Sequence, residues 1–245
     1  MHWDFSSFSE IGERDNNEDC VAVKAAAAGI CAVLCDGLGG HDAGEVASKC
    51  VCDSIMAGFE KAPADADIDA LVGELIQNAQ DELRLKQVEL DKQNGMKTTV
   101  CCLILRDDKA AAAHVGDSRI YQFIKNAFEQ RSMDHSVPQY LVKAGEIKER
   151  DIRHHPDRNK LLRVMGSEWE SPRYQMMKFE KPLESSAFLL CTDGFWEWVE
   201  DKEMEKELKR ASSAEEWLDG MKKIAYKRGK GKKMDNISAI ALIGK

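Results

Sequence analysis

The sequence has no apolar stretch long enough to cross a membrane and no segment that separates it into domains. The longest apolar run, Ala25–Cys35, falls short of the roughly 20 residues that a membrane helix needs. The opening MHWDFSSFSE has no basic stretch followed by an apolar segment, so it does not predict a secretory leader. With 5 prolines and no Pro, Gly or Ser-rich linker, we expect one domain over residues 1–245.

Several common catalytic motifs are also missing. No cysteine has an arginine six residues after it, which excludes the loop of the thiol-nucleophile phosphatases. There is no G-x-S-x-G elbow, and no Gly-Lys pair is followed by Ser or Thr as in a P-loop. The segment that begins at Gly37 lacks the last glycine of the dinucleotide fingerprint. These absences disfavour a serine or cysteine hydrolase and a nucleotide-binding protein.

The composition is that of a soluble globular protein. It is 43% hydrophobic and 32% charged, and its net charge of -8 disfavours nucleic acid as a partner. The 8 cysteines lie in or beside apolar segments, which is typical of reduced, buried thiols and of a cytoplasmic protein. Cys101 and Cys102 should point to opposite faces of a strand, so a zinc site is not expected. We expect a monomer with no membrane partner.

The apolar pattern predicts an α+β fold. Residues 19–37 read as a hairpin of two strands around Gly29, and helical periodicity follows over residues 42–59 and 68–90. Further strands are predicted for TTVCCLIL, AAAAHVG, RIYQFI, RYQMMKF, AFLLCTDG and NISAIALIG, with short helices over 136–150 and amphipathic helices over 201–210 and 214–227. We expect mainly antiparallel sheets packed on each other, with the helices outside.

Two buried strands end in the same way, on an aspartate followed by glycine. These are AVLCDG with Asp36 and FLLCTDG with Asp193. Other acidic residues stand at comparable junctions: Glu18, Asp19, Asp117 and Asp235. Any one of them alone is typical of a turn, but together they predict a shared site, because an unpaired buried carboxylate is costly. Oxygen donors favour Mg²⁺ or Mn²⁺ over zinc, and Gly37 would let a backbone carbonyl join them.

The ordered motifs resemble those of the bacterial metal-dependent serine/threonine phosphatases, the type 2C family. They are GERDNNED, CDGLGGHDAGEVAS, TTVCCLIL, AHVGDSRIY, DHSVPQYLVKAGEI, HPDRNKLLRVMG, LLCTDGFWEWV and DNISAIAL, and they span nearly the whole chain. The resemblance implies a four-layer αββα sandwich, with two antiparallel sheets between helix pairs and a small flap segment at about residues 136–166.

The resemblance also implies a role for each site residue. Two Mn²⁺ or Mg²⁺ ions would share a water whose lowered pKa supplies hydroxide for direct attack on phosphorus. Asp36 would bridge both ions, Asp193 and Asp235 would hold the first, and Glu18 with the Gly37 carbonyl would serve the second. Three further roles concern neighbouring residues: Asp117 with Asp193 would bind a third, weaker ion, Arg14 would clamp the phosphate, and Asp19 would support the ligands from behind.

Four positions bear on proton transfer, on the shape of the site or on packing near it. Animal relatives often carry histidine after the Asp-Gly pair as a proposed general acid, but this chain has Leu38 there, so that role is unassigned. His41 is favoured as a helix cap or loop residue close to the ligands. Asn236 is expected to orient the loop at Asp235. His114 is expected to pack within a strand.

The function that follows is hydrolysis of phosphoserine and phosphothreonine in proteins, opposing a bacterial kinase in signalling. The flap could select substrates, although a solvated loop is an equally good interpretation. The alternative is a non-catalytic binding module on the same fold, whose sign would be a lost metal carboxylate. Glu18, Asp36, Asp193 and Asp235 are all present.

Overall fold

The structure is a computed structural model that describes residues 2–38, 43–93, 95–179, 183 and 185–244. Its strands are β1 (Trp3–Glu10), β2 (Asp19–Ala26), β3 (Gly29–Leu38), β4 (Lys97–Thr98), β5 (Val100–Arg106), β6 (Lys109–Val115), β7 (Arg119–Ile124), β8 (Ala127–Arg131), β9 (Gln175–Met177), β10 (Ser186–Cys191) and β11 (Ile237–Gly244). They form a five-stranded sheet in the order β1-β11-β10-β7-β8 and a six-stranded sheet in the order β2-β3-β5-β6-β9, in which β4 pairs with β3.

The helices are α1 (Ala43–Lys61), α2 (Ile68–Glu89), α3 (Val137–Lys143), α4 (Asp193–Trp196), α5 (Asp201–Leu208) and α6 (Ala214–Gly229). A 3₁₀ helix covers Glu149–His154 in the flap. Side chains cap the starts of several helices, such as Asp67, which accepts the N–H groups of Asp69 and Ala70. No helix in the described ranges has the length and apolar character needed to cross a membrane.

The core has three parts, and they define four layers. One face of β3, with Val33, packs on Val51 of α1 and Ile76 of α2, whereas its other face, with Leu34, meets the five-stranded sheet. The five-stranded sheet covers its own outer face with α4, α5 and α6, around Trp217. Full burial of such side chains contributes about 1.5–3 kcal/mol each. The result is the predicted αββα sandwich, with both sheets buried on two faces.

The predicted hairpin is confirmed, and Gly29 is required at its turn because its φ is +126° and a Cβ there would overlap the carbonyl oxygen of Leu105. The sequence pattern did not predict β1 or β8. They are the edge strands of the five-stranded sheet, where one side of the strand has no partner and polar residues interrupt the apolar pattern.

The flap differs from the prediction in one detail. The sequence predicts a second short helix between Gly145 and Arg150 and a polar loop after it, but residues 146–148 are not helical and the 3₁₀ helix runs from Glu149 to His154. Ile152 is the physical reason, because it is buried against the five-stranded sheet's outer core and anchors the turn. The Asp151 side chain accepts the Lys148 N–H at 2.9 Å and closes the start of the helix.

Candidate active site

The carboxylates singled out by the sequence lie at one edge of the two sheets. Asp36 stands near the end of β3, Asp193 follows β10, Asp235 precedes β11 and Asp117 lies between β6 and β7. In antiparallel sheets the end of one strand and the start of its neighbour meet at the same edge. These four residues line one open cavity of about 450 Å³, together with Arg14, Asp15, Asn16, Glu18, Gly37, Leu38, Asn159, Leu161 and Asn236.

The backbone of Asp36 is held by a pair of threonines. Its N–H donates to the Thr99 hydroxyl at 3.0 Å, and its carbonyl accepts the Thr99 N–H and the Thr98 hydroxyl, both at 2.8 Å. The strand register places Asp19 of β2 directly opposite Asp36. The position of this carboxylate is therefore fixed by three hydrogen bonds to its main chain.

Asp193 is positioned through its neighbour Thr192. The Thr192 hydroxyl donates to Asp19 at 3.2 Å and accepts the Ser238 N–H at 3.1 Å, which ties the end of β10 to β11 and to β2. Gly194 lets α4 begin against β11, because a Cβ there would overlap the carbonyl oxygen of Asn236. Both sheets thus contribute to the placement of Asp193.

Arg14 and Asp117 line the cavity and differ in burial. The Arg14 guanidinium donates to the Asp235 carboxylate at 2.5 Å, and 58% of its side chain is exposed. Asp117 is buried, and its carbonyl accepts the indole N–H of Trp196 at 3.0 Å. Arg14 is therefore the exposed cation at the mouth, available to an anion, while Asp117 is a fixed part of the wall.

The carboxylates repel one another strongly. Burial, followed by the charges of Asp19 and Asp193, raises the pKa of Asp36 well above its usual range. Burial, followed by the charge of Asp193, does the same to the pKa of Asp117. Burial and nearby carboxylates raise the pKa of Asp193 to about 7 and that of Asp19 to about 8. A site of this kind favours a bound cation, because a cation removes the repulsion.

The donor set fits hard divalent ions. It consists of carboxylate oxygens and the backbone at Gly37, and one buried oxygen of Asp19, Oδ1, has no hydrogen-bond partner among the described residues. In the described part of the chain, no three His, Cys, Asp or Glu side chains form a ready coordination group. Asp235 is paired with Arg14, so binding an ion through Asp235 would replace this ion pair.

The structure also supplies residues that sequence reasoning did not nominate. Asp15 and Asn16 line the cavity from the loop before β2, and Asn159 and Leu161 line it from the flap. All four lie in motifs that were recognised, GERDNNED and HPDRNKLLRVMG, so only the individual positions were missed. His41 falls outside the described residues, and His114 is buried and stacks on His135 with a ring separation of 4.6 Å, as expected for a packing residue.

Among the described lining residues there is no serine, cysteine or histidine that could serve as a covalent nucleophile. A cavity lined by clustered carboxylates together with an arginine is typical of hydrolases that use metal ions on an anionic substrate.

Comparison with known proteins identifies the family to which this chain belongs. A model of the family described as "Protein phosphatase 2C" matches residues 9–236. The chain therefore belongs to the protein phosphatase 2C family, the metal-dependent protein serine/threonine phosphatases, and it is an enzyme of that class.

Individual relatives agree with this assignment. The serine/threonine phosphatase stp of Listeria monocytogenes is 33% identical over 192 residues, which cover 76% of this chain and 75% of that protein. A crystal structure of a bacterial serine phosphatase has a TM-score of 0.87 at 31% identity and covers 100% of this chain and 98% of that chain. The catalytic domain of the phosphatase PstP in complex with 2 manganese ions, at 24% identity, has a TM-score of 0.83 and covers 98% of this chain and 97% of that chain; this likeness shows the fold alone.

Proposed function

We propose that this phosphatase hydrolyses phosphoserine and phosphothreonine in proteins by direct attack of water on phosphorus, with no covalent intermediate. One observation carries the proposal: carboxylates from five separate parts of the sequence line a single cavity of about 450 Å³ with Arg14 at its mouth. When bound there, two Mn²⁺ or Mg²⁺ ions supply an activated water at neutral pH.

Each residue then has a defined task. Asp36 would bridge both ions, with Asp193 and Asp235 on the first and Glu18 with the Gly37 carbonyl on the second. Support comes from their shared cavity and from the raised pKa of Asp36 and Asp193. A raised pKa means that the ionised form of each carboxyl is unfavourable unless a cation lies beside it. Asp117 with Asp193 would take a third, weaker ion.

Arg14 would bind the phosphoryl group of the substrate. Its guanidinium is exposed at the mouth, and the hydrogen bond to Asp235, aided by nearby carboxylates, raises its pKa further above the usual value. A planar fork of N–H donors suits two phosphate oxygens at once. Asn236 and Asp19 would hold the ligands in place, and no described residue is assigned to protonate the leaving group.

The flap would select the protein substrate, since Asn159 and Leu161 reach the cavity from it. We further propose a monomer acting in the cytoplasm on the targets of a serine/threonine kinase. Its cysteines are all free, which supports a reducing compartment. The pairing of β1 with β11, from opposite ends of the chain, supports one domain over residues 1–245.

The test is hydrolysis of a phosphothreonine peptide after treatment with a chelator. Activity should vanish and return on addition of Mn²⁺, whereas an Asp36→Asn variant should stay inactive with Mn²⁺ present. A matched Asp108→Asn variant, changed in a turn between β5 and β6, should behave like the natural chain. Activity that persists after exhaustive chelation contradicts the proposal, and metal binding without any hydrolysis would favour the non-catalytic alternative.

A further inference from the structure

A second cavity, of about 520 Å³, lies where the flap meets the start of α5. It shares none of its described lining residues with the active-site cavity. Five of its lining residues are permanently cationic: Arg119 of β7, Arg131 of β8, Arg150 and Arg153 of the 3₁₀ helix, and Lys202 of α5. We call it the arginine cavity. Apart from Arg119, which packs on the Trp196 ring whose N–H holds Asp117, none of these side chains has a task in the phosphatase reaction as described above.

The cations at the bottom of the arginine cavity outnumber the acids there. The side chains of Arg119, Arg131 and Arg153 are 3%, 9% and 13% exposed, and among the described acids that form ion pairs with them only Asp134 is comparably buried, at 1%. Asp134 accepts two hydrogen bonds from Arg119, at 2.8 and 2.7 Å, and a third from Arg131 at 3.2 Å. Both carboxylate oxygens of Asp134 are therefore already hydrogen-bonded to Arg119 or Arg131.

Three acids line the arginine cavity, Glu149, Glu200 and Asp201, and all are more exposed than Asp134. Glu149 pairs with Arg131 but is 54% exposed, and Asp201 accepts from Arg153 at 2.7 Å with 37% of its side chain exposed. Ion pairs with solvated carboxylates are weak, because water competes for both partners. Glu149 and Asp201 can therefore be displaced from the arginines by an anion that presents more oxygens.

Arg153 has an unused donor. Its Nη1 is buried and has no hydrogen-bond partner among the described residues, while its Nη2 donates to Asp201. A buried guanidinium N–H without an acceptor is unfavourable. The ring of Trp196 packs against two of the arginines, with the guanidinium carbons of Arg119 and Arg153 at 3.5 and 5.6 Å from its centre. This contact limits the orientations that both guanidinium groups can adopt.

We propose that the arginine cavity binds a tetrahedral oxyanion, the phosphoryl group, which is available either as inorganic phosphate or as a phosphorylated side chain of a protein. The oxyanion takes hydrogen bonds from Arg153 and Arg131 and replaces Asp201 and Glu149 as their partner. Guanidinium forks match the spacing of phosphate oxygens and bind two of them together.

The experiment follows the ¹⁵N-labelled arginine side-chain signals of the Mg²⁺-loaded 245-residue chain by NMR, with the Arg153 signal assigned from an Arg153→Gln variant. One arm adds inorganic phosphate, and the other adds a peptide that carries a non-hydrolysable phosphonate in place of phosphothreonine, with the unmodified peptide beside it. We expect a saturable shift of the Arg153 signal. A shift with inorganic phosphate identifies the free anion as the ligand, and a shift with the phosphonate peptide alone identifies a phosphoprotein.

Two variants make the result decisive. Asp201→Asn removes a competing carboxylate, so it should tighten binding about two- to fivefold. The matched Arg173→Gln variant changes an exposed arginine outside the cavity and should leave binding unchanged. No saturable shift in either arm, or an affinity that Asp201→Asn leaves unaltered, overturns the proposal. The NMR measurement needs no turnover, so its result tests the arginine cavity independently of the proposed phosphatase reaction.

Discussion

The side-chain oxygen of Asn236 accepts the backbone N–H of Glu18 at 2.8 Å, joining residues 218 positions apart. The amide nitrogen of the same side chain donates to the carbonyls of Ile11 and Asn16, each at 2.8 Å. One side chain therefore fastens the loop that carries Arg14 and Glu18 to the start of β11, beside Asp235. Three proposed functional residues depend on it for their relative positions.

Replacing Asn236 with alanine should weaken metal binding without unfolding the protein. Loss of a residue that orients metal ligands typically lowers metal affinity or activity by about 10- to 100-fold. The Mn²⁺ concentration that gives half-maximal hydrolysis measures the effect. An Asn78→Ala variant, on the exposed face of α2, is the control. Equal Mn²⁺ dependence in the two variants would show that Asn236 has no such role.

Changing Asp193 to asparagine should have opposite effects on activity and on stability. Hydrolysis should fall by more than about 100-fold, because a proposed metal ligand is lost. The metal-free protein should melt at a higher temperature, because the amide removes one of the repelling charges that raise the pKa of Asp36. Thermal unfolding with a chelator present measures the second effect. A lower melting temperature would mean that Asp193 is stabilising even without metal.

The stability of the metal-free protein should fall as the pH rises from about 6 to about 8.5. Burial, followed by nearby carboxylates, raises the pKa of Asp193 to about 7 and that of Asp19 to about 8, from an ordinary value of 3.8. Within that window the folded state holds more protons than the unfolded state, so raising the pH favours unfolding. Urea unfolding at the two pH values tests this. Saturating Mn²⁺ should abolish the difference, since metal binds the deprotonated carboxylates; a metal-free protein more stable at the higher pH would refute the expectation.

Truncating Asp134 to alanine should destabilise the fold by about 3–5 kcal/mol, because it leaves the buried Arg119 without a counter-charge. The two side chains are 1% and 3% exposed. The urea midpoint measures the loss. Asp53→Ala breaks an exposed pair with Lys49 and should leave the midpoint nearly unchanged. Similar midpoints for both variants would mean that Arg119 finds solvent or another partner.

Much of the fold could be predicted because its signals are local. The strand β3 is apolar along its length since both faces are covered, and α1 and α2 show their buried stripe directly in the sequence. The edge strands β1 and β8 could not be identified in this way. Their residues adopt strand geometry because a neighbour in the sheet offers hydrogen bonds, and the chain pattern does not reveal that neighbour.

The candidate site could likewise be predicted from the sequence only in part. The sequence by itself determined which chemistry is available: acids at strand ends, an arginine before β2, and no serine or cysteine motif for a covalent mechanism. Only the tertiary structure decided that Asp36, Asp193 and Asp235 share a cavity, that Asn236 holds Glu18, and that three arginines of separate elements collect in a second cavity. The physical reason is that a residue type is carried by the chain, whereas burial, repulsion and hydrogen-bond partners depend on how the two sheets pack.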